Sequence, residues 1–456
     1  MAAISERKIE IVRTLVENAP DRVVGGLQQA LADTAGDPVL AAVRKLVEAE
    51  AHDRRVRNMV LEPVAPMCVG DGAAASRLTF PARALALAWR GLKAQLPAEV
   101  EAAALLLSDF RPGESPPESF DLLAASVAEG LRLREGLAYR QAAELCDAGR
   151  PDGAAAFCAC LDLVPLTRGA TLRLGDWISR TNDENTAAIR VIYKDAVELA
   201  EDAGPRFFEM LAAQLAQPWR VLRIISAEMD RPSDKYLAAS ELASFALRLM
   251  DEVDDNLLAV SRLDLDGGES AGRALGRIVE TVTQQIAELE QCVDIGREGA
   301  WGNRIARQKK ALAGIVEGHL RTAEKVATDA LPAQPVRIGK ITRAVPVVVA
   351  EPNAQTVGRA MTLLHFSHEI RTSANYGGFA STRTKVAEKI GEMIDKYVEE
   401  LLDRIRVADV DDDLAHLFLG VAADFSALIR DDKAAEIIRR RAAAAVAAER
   451  IVAASA

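Results

Sequence analysis

The segment LASFALRLMDEVDDNLLAVSRL, residues 242–263, decides the class of fold because its apolar residues follow a helical period. Successive apolar positions are three or four residues apart, which places their side chains along one stripe of an α-helix. The stripe consists of Leu242, Phe245, Leu249, Val253, Leu257 and Val260. A helix with such a stripe buries it against neighbouring helices. The segment therefore predicts a helical bundle.

Composition extends this prediction to the whole chain. The 456 residues are 50% apolar, which is enough to bury a large core over two or three domains. Aromatic residues make up only 4%, and the apolar content depends on Ala and Leu, which have high helix propensities. We therefore predict an all-α protein.

Helix length and proline content divide the chain into four predicted regions. Residues 1–180 predict short helices, each with a proline such as Pro38 or Pro97 near its start. They predict helical hairpins, which an α-solenoid would stack as helical repeats, although no consensus recurs. Residues 181–330 predict long helices over 182–202, 234–263, 270–297 and 303–331.

The remaining regions are a connection and a terminal bundle. Residues 331–353 contain four prolines and a β-branched run, which disfavour helix and predict a connection between domains. Residues 354–456 predict a C-terminal bundle with helices over 357–372, 382–406, 413–429 and 433–454.

The charge of the chain bears on its location and partners. A formal charge of −11 argues against a general nucleic-acid or anionic-membrane binder, because such proteins usually carry a basic surplus. The first residues, MAAISERKIEIVRTL, interleave Glu6 and Glu10 with basic residues and form neither a signal peptide nor a membrane anchor. We expect a cytoplasmic acidic protein without membrane insertion.

The cysteines favour reduced thiols. The five of them are odd in number and scattered, and CAC at Cys158 and Cys160 is the only close pair. Its flanks are apolar and helical, which indicates two buried small side chains rather than metal ligands. We predict no metal site and no cofactor.

The hexapeptide SHEIRT, residues 367–372, resembles the phosphoacceptor box of sensor histidine kinases. The resemblance implies that His368 accepts a phosphoryl group. The following residues are too few for the companion ATPase domain and lack its glycine-rich signature, although a histidine phosphotransfer module needs no ATPase. A helical wheel places His368 on an apolar face, which predicts a packed or interhelical histidine; that face also holds Val357, Ala360, Met361 and Leu364.

The acidic run DEVDD, residues 251–255, resembles the first aspartate-rich motif of isoprenyl diphosphate synthases, and DVDDD, residues 409–413, could be the second. The resemblance implies an enzyme that holds Mg²⁺ through Asp251 and Asp255. Val253 lies on the apolar stripe, however, so we expect both aspartates to face solvent. The second run suits the N-terminus of the helix that follows it.

Charge reverses sign along the long helices. Residues 251–298 hold 12 acidic and 4 basic residues, whereas residues 304–343 hold 9 basic and 3 acidic ones. An antiparallel helical hairpin turning near residues 299–302 would let these charges compensate one another. The alternative is a surface that recognises an acidic protein partner; its predicted binding residues are Arg307, Lys309, Lys310, Arg337, Lys340 and Arg343.

The C-terminal sequence DKAAEIIRRRAAAAVAAERIVAASA combines the run Arg439 to Arg441 with a nearly continuous alanine surface. Small side chains permit close helix approach. The sequence leaves open whether this helix docks into its own bundle or into a second subunit, which would make a homo-oligomer.

No local signature of nucleophilic catalysis and no glycine-rich phosphate loop occurs in the sequence. We therefore expect a scaffold or adaptor that binds proteins through helical surfaces, and not an enzyme. A phosphotransfer protein using His368 is the main alternative. A Mg²⁺-dependent diphosphate enzyme using Asp251 and Asp255 is the other.

Overall fold

A computed structural model describes residues 6–32, 38–70, 77–109, 114, 116–179, 182–338 and 341–455. The protein is 78% helical, which confirms the predicted all-α class. Four short strands occur within the described ranges, and they form two separate two-stranded sheets.

The chain divides into two compact units. The first comprises Met1–Pro232 and Ser240–Leu242, and the second comprises Ser233–Ala239 and Ala243–Ala456. This division differs from the one based on sequence, which has boundaries after residues 180, 330 and 353. Helix length was the criterion there, whereas packing defines the units.

The first unit contains thirteen described helices and one small sheet. The helices are α1 (Glu6–Asn18), α2 (Asp21–Ala32), α3 (Pro38–Val60), α4 (Ala82–Gln95), α5 (Pro97–Asp109), α6 (Glu118–Leu133), α7 (Gly136–Gly149), α8 (Gly153–Asp162), α9 (Val164–Thr171), α10 (Leu174–Ser179), α11 (Asp183–Leu199), α12 (Ala203–Ala213) and α13 (Leu222–Glu228). Strands β1 (Cys68–Val69) and β2 (Phe80–Pro81) pair in parallel. Short 3-10 turns cover Ala65–Met67 and Pro218–Val221.

Packing in the first unit depends on a tyrosine between helices. α4 packs against both α6 and α7, and the ring of Tyr139 on α7 is fully buried there. A Cβ atom on Gly130 of α6 would lie 2.4 Å from the Tyr139 ring, and one on Gly91 of α4 would lie 2.7 Å from it. The ring therefore fits only because both neighbouring helices present glycine.

The second unit contains eight described helices and a β-hairpin. The helices are α14 (Asp234–Ala238), α15 (Ala243–Ser261), α16 (Gly268–Cys292), α17 (Ala300–Ala330), α18 (Ala354–Glu369), α19 (Ala380–Arg406), α20 (Asp412–Ile429) and α21 (Asp432–Ser455). Strands β3 (Ala333–Ile338) and β4 (Ile341–Pro346) are antiparallel.

The apolar stripe that opened the sequence analysis is buried at all six positions, with each residue at most 7% exposed. The single helix predicted over residues 234–263 is nevertheless two helices, α14 and α15. The Ser240 side chain accepts a hydrogen bond from the Leu242 N–H at 3.2 Å. Serine competes with the helical backbone for such bonds, which accounts for the break.

Helix α18 lies at the centre of the second unit, because it packs against α16, α17 and α20. The charge pattern suggested that α16 and α17 pair directly as an antiparallel hairpin. Each of these helices packs against α15 and α18 instead. Gly272 permits the close crossing of α16 and α18: a Cβ atom there would lie 2.1 Å from the Thr362 carbonyl oxygen.

The proline-rich segment, predicted as a connection, lies within the second unit. It forms the β3–β4 hairpin inside the second unit, with Val336 opposite Arg343. Its base is held where Val347 N–H donates to the Pro332 carbonyl at 2.8 Å and Arg404 Nη1 donates to the Pro346 carbonyl at 2.6 Å. β-branched residues favour this extended structure.

The first half of α21 docks into its own unit, against α19 and α20. Ala435, Ile438 and Ala442 are buried in this contact, and Arg439 forms an ion pair with Asp424 at 2.7 Å. Among the described helices, none combines the length and apolarity that crossing a membrane requires.

Candidate functional site

His368, the residue of the kinase-like box, lies between two helices. Its Nδ1 is 3.2 Å from the Leu428 carbonyl oxygen of α20, so this nitrogen carries the proton and donates it. The side chain is half-buried. One turn earlier, His365 is only 6% exposed and its Nε2 is 3.7 Å from Glu269 of α16. Both rings therefore lie in contacts between helices.

The two aspartate-rich runs have separate structural surroundings. Arg304 of α17 pairs with Asp251 and Asp254 of α15, at 2.5 Å in each case, while Asp255 is exposed. In the second run, Asp411 caps α20 by accepting the Leu414 N–H at 2.9 Å. Nowhere in the described ranges do three or more His, Cys, Asp or Glu residues form a group that could hold a metal ion.

The six predicted basic residues fall into two distant groups. α17 has 31 residues and is about 45 Å long at about 1.5 Å per residue. Arg307, Lys309 and Lys310 lie near its start, whereas Arg337 and Arg343 lie in the hairpin beyond its end. Lys340 lies outside the described residues. The five described residues therefore do not make one continuous patch.

Lys309 has internal partners. Its Nζ is 3.1 Å from both carboxylate oxygens of Glu290 and 4.8 Å from the centre of the Tyr376 ring. The Tyr376 hydroxyl donates to the same carboxylate, and burial together with this bond raises the pKa of the phenol. Arg343 lies 3.9 Å from Glu400. For these two cations, compensation by the protein's own carboxylates fits the geometry.

The first basic group adjoins a cavity through Lys309. The α16–α17 groove is a cleft of about 530 Å³ where α16 ends and α17 begins, lined by Glu290, Val293, Asp294, Ile295, Arg297, Gly302, Ile305, Ala306 and Lys309. Its shape depends on Gly302, because a Cβ atom there would lie 2.3 Å from the Gly296 carbonyl oxygen. Val293 and Ile305 are buried and form its apolar floor.

Exposed cations lie on and near this groove. Arg297 lies on its rim, and Arg307 and Lys310 are exposed on the same stretch of α17 without lining the groove. Among the described residues, none of these three cations has an ion-pair partner. Within the groove, the Glu290 carboxylate contacts both the Lys309 ammonium group and the Tyr376 hydroxyl. Glu290 and Tyr376 are 86 residues apart, so no local sequence pattern could have brought them together.

The comparison with known proteins gives no relative. No protein-family model matches the chain, and neither a curated protein nor a solved structure is similar to it.

Proposed function

We propose that the protein is a non-enzymatic helical adaptor that binds an acidic segment of another protein at the α16–α17 groove. The observation that carries the proposal is the combination of an apolar floor with the exposed Arg297 on its rim and the exposed Arg307 and Lys310 on the adjoining stretch of α17. An acidic segment can place an apolar side chain over Val293 and Ile305 while its carboxylates meet Arg297 at the rim. A segment that extends past the groove along α17 would also approach Arg307 and Lys310. The rest of the chain is acidic, which disfavours approach elsewhere.

Electrostatics would act mainly on the rate of association. Exposed charges attract a partner over roughly one Debye length, about 8 Å at physiological salt. The binding should therefore weaken as salt rises. Affinity beyond this must come from the apolar floor, because exposed ion pairs contribute only about 0–1 kcal/mol each.

Peptide selection provides the test, because it requires no chosen partner. A random peptide library is selected against the wild-type full chain, and the selected peptides are then titrated against the double variant Arg307→Glu/Lys310→Glu. We expect the selected peptides to carry Asp or Glu beside an apolar residue. They should bind the double variant at least about tenfold more weakly than the wild-type protein.

The matched control lies on the same helix. Arg321 and Lys325 are both exposed and further along α17, away from the groove. The variant Arg321→Glu/Lys325→Glu changes the net charge equally and should keep wild-type affinity. Peptides without acidic bias, or equal weakening by both variants, would show that the groove is not the binding site.

A further inference from the structure

A second cavity, in the first unit, contains a different arrangement of charge. It has a volume of about 910 Å³ and lies where the start of α2, the second half of α3 and the start of α4 meet. Four arginines line it, namely Arg54, Arg57, Arg83 and Arg90. Its volume lies in the range of pockets that hold small organic ligands, about 300–1,000 Å³.

Arg54 is a structural residue within this cavity. Its Nε donates to Glu50 at 2.7 Å and its Nη1 donates to Asp21 at 2.5 Å. The remaining Nη2 donates to the carbonyl oxygens of Val16 at 3.0 Å and Glu17 at 3.3 Å. All three nitrogens of this buried guanidinium therefore have acceptors, as a buried charge requires.

Arg57, one turn later on α3, is equally buried but incompletely paired. It is 8% exposed, and its Nε donates to the Asn58 side-chain oxygen at 3.0 Å. Among the described residues, the nearest carboxylate oxygen to its terminal nitrogens is Asp21 Oδ2, at 3.6 Å, which is beyond a hydrogen bond. Burial lowers the pKa of this guanidinium, more than Asp21 raises it.

This arrangement leaves several donors facing the cavity. A guanidinium has five N–H groups, and only the Nε–H of Arg57 has a described acceptor within hydrogen-bond distance. The hydrogen bond from Arg57 also fixes the orientation of the Asn58 side-chain amide. The amide oxygen accepts this bond, and the NH₂ group has no described acceptor. Because leaving a buried charge without acceptors is costly, an anionic ligand is the natural complement.

The rest of the wall restricts what such a ligand can be. Apolar side chains, including Val69, Leu85 and Leu87, line the same cavity. The carboxylates of Asp21 and Glu62 also line it and would repel a second anionic group on the ligand. Arg90 stands at the rim, half-exposed, and pairs with Glu17 at 3.1 Å.

We propose that this cavity binds a small organic anion that has one oxyanion head group and an apolar body. The head, a carboxylate or a phosphate monoester, accepts hydrogen bonds from the two terminal nitrogens of Arg57 and from the Asn58 NH₂ group. A planar guanidinium suits such a head because it donates two parallel bonds. The body lies against the apolar wall. This proposal is independent of the α16–α17 groove.

Calorimetric titration of the full chain tests the proposal with three probes. Phenyl phosphate and hexanoate present the two kinds of head group on an apolar body, and hexanol presents a comparable body without charge. We expect one or both anions to bind, and hexanol not to bind. Phenyl phosphate and hexanoate then distinguish a phosphate head from a carboxylate head.

Three variants locate the binding. Arg57→Gln should weaken anion binding at least about tenfold. Arg57→Lys should weaken it less, because lysine keeps the positive charge but cannot donate two parallel hydrogen bonds. Lys45→Gln, an exposed change on the same helix, should leave affinity unchanged. Circular dichroism and the melting temperature establish whether each variant is folded.

A fourth variant keeps the proposal testable if Arg57→Gln does not fold. Asn58→Asp places a carboxylate beside Arg57 and so supplies the missing charge from within the protein. We expect it to raise the melting temperature and abolish anion binding. Anion binding that persists in Asn58→Asp, or equal affinity of wild-type and Arg57→Gln proteins, would overturn the proposal. Failure of both anions to bind the wild-type protein at about 10 mM, roughly tenfold above a Kd of 1 mM, would also overturn it.

Discussion

His365 and His368 are separated by one turn of α18, yet they face different helices. His365 faces Glu269 of α16, and His368 faces the Leu428 carbonyl of α20. A histidine pair on a surface would share a solvent-exposed side, as a metal site or a phosphoacceptor needs. Because α18 lies at the centre of the second unit, each ring instead contacts a neighbouring helix.

At the same scale, His365 should make stability depend on pH. Burial lowers the pKa of His365 below its ordinary value of 6.5, and Arg273 and His368 add to this effect, while Glu269 and Glu369 oppose it. The unfolded chain therefore binds the proton more readily, so acidification below about pH 6.5 stabilises the unfolded state. We expect the melting temperature to fall from pH 7.5 to pH 5.5, and His365→Gln to reduce that fall.

His416 provides the matched control for this measurement, because it is exposed on α20. His416→Gln should leave the dependence of melting temperature on pH unchanged. If His365→Gln instead makes the acid loss steeper, the attraction of Glu269 for the protonated ring outweighs burial, and our assignment of the sign is wrong.

Lys309 shows, for a single residue, why the sequence could not settle which cations are exposed. The sequence shows that Lys309 belongs to a basic tract. Compensation of that positive charge by the preceding acidic segment was one of two open interpretations. Its contact with Tyr376 depends on the arrangement of α16, α17 and the segment after α18, which no local spacing encodes. Arg307 and Lys310 have the same sequence context, yet they lie exposed beside the groove.

At the scale of elements, a glycine at a close contact between helices has no room for a larger side chain, whereas a glycine on an exposed helix face has. We expect Gly130→Ala to destabilise the first unit by about 1–3 kcal/mol, because the new methyl group overlaps the rigid Tyr139 ring. Denaturant unfolding followed by tryptophan fluorescence can measure this loss. Three of the four tryptophans, Trp89, Trp177 and Trp219, lie in the first unit.

The control for this prediction is Gly26 in α2, also in the first unit. A Cβ atom there meets nothing within 4 Å, so Gly26→Ala should stabilise the unit by up to about 1 kcal/mol through helix propensity alone. Adding Tyr139→Leu to Gly130→Ala should cost less than the sum of the two single changes. Strict additivity would mean that the glycine and the ring do not interact.

Helices were the most predictable elements, and their packing partners the least. The predicted ranges in the C-terminal bundle, such as 382–406 for α19, agree with the structure to within three residues at each end. Periodicity and caps are local, so the sequence carries them. The crossing of α16 and α18 was missed, although Gly272 and Gly276, four residues apart, were a readable sign of close approach. The β3–β4 hairpin was missed because its prolines and its β-branched run were both interpreted only as evidence against a helix.

The candidate sites were less predictable than the helices. A cavity forms from segments distant in sequence, as when Asp21, Arg57 and Arg83 meet in the first unit. Their charges are visible in the sequence, but the difference between Arg54 and Arg57 is not. Both arginines lie on one helix, three residues apart, and only their surroundings make one satisfied and the other available.

At the scale of the whole molecule, the path of the chain around residue 233 is unusual. The chain leaves the first unit after Pro232, contributes Ser233–Ala239 to the second, returns to the first for Ser240–Leu242, and then enters the second again. Each excursion makes contacts within its unit. Asp234 N–H donates to the Asp294 carbonyl at 3.0 Å, and Tyr193 donates to Glu241 at 2.9 Å.

This path means that no single cut separates the two units intact. A fragment of residues 1–239 loses Glu241 and its bond to Tyr193, so it should melt below a fragment of residues 1–242. Likewise, a fragment of residues 240–456 loses Asp234, whose carboxylate also accepts the Gly296 N–H at 3.1 Å, and should melt below a fragment of residues 233–456. Equal melting temperatures within either pair would mean that these short returns of the chain are incidental. Otherwise, the protein can be split into two stable halves only if residues 233–242 are present in both.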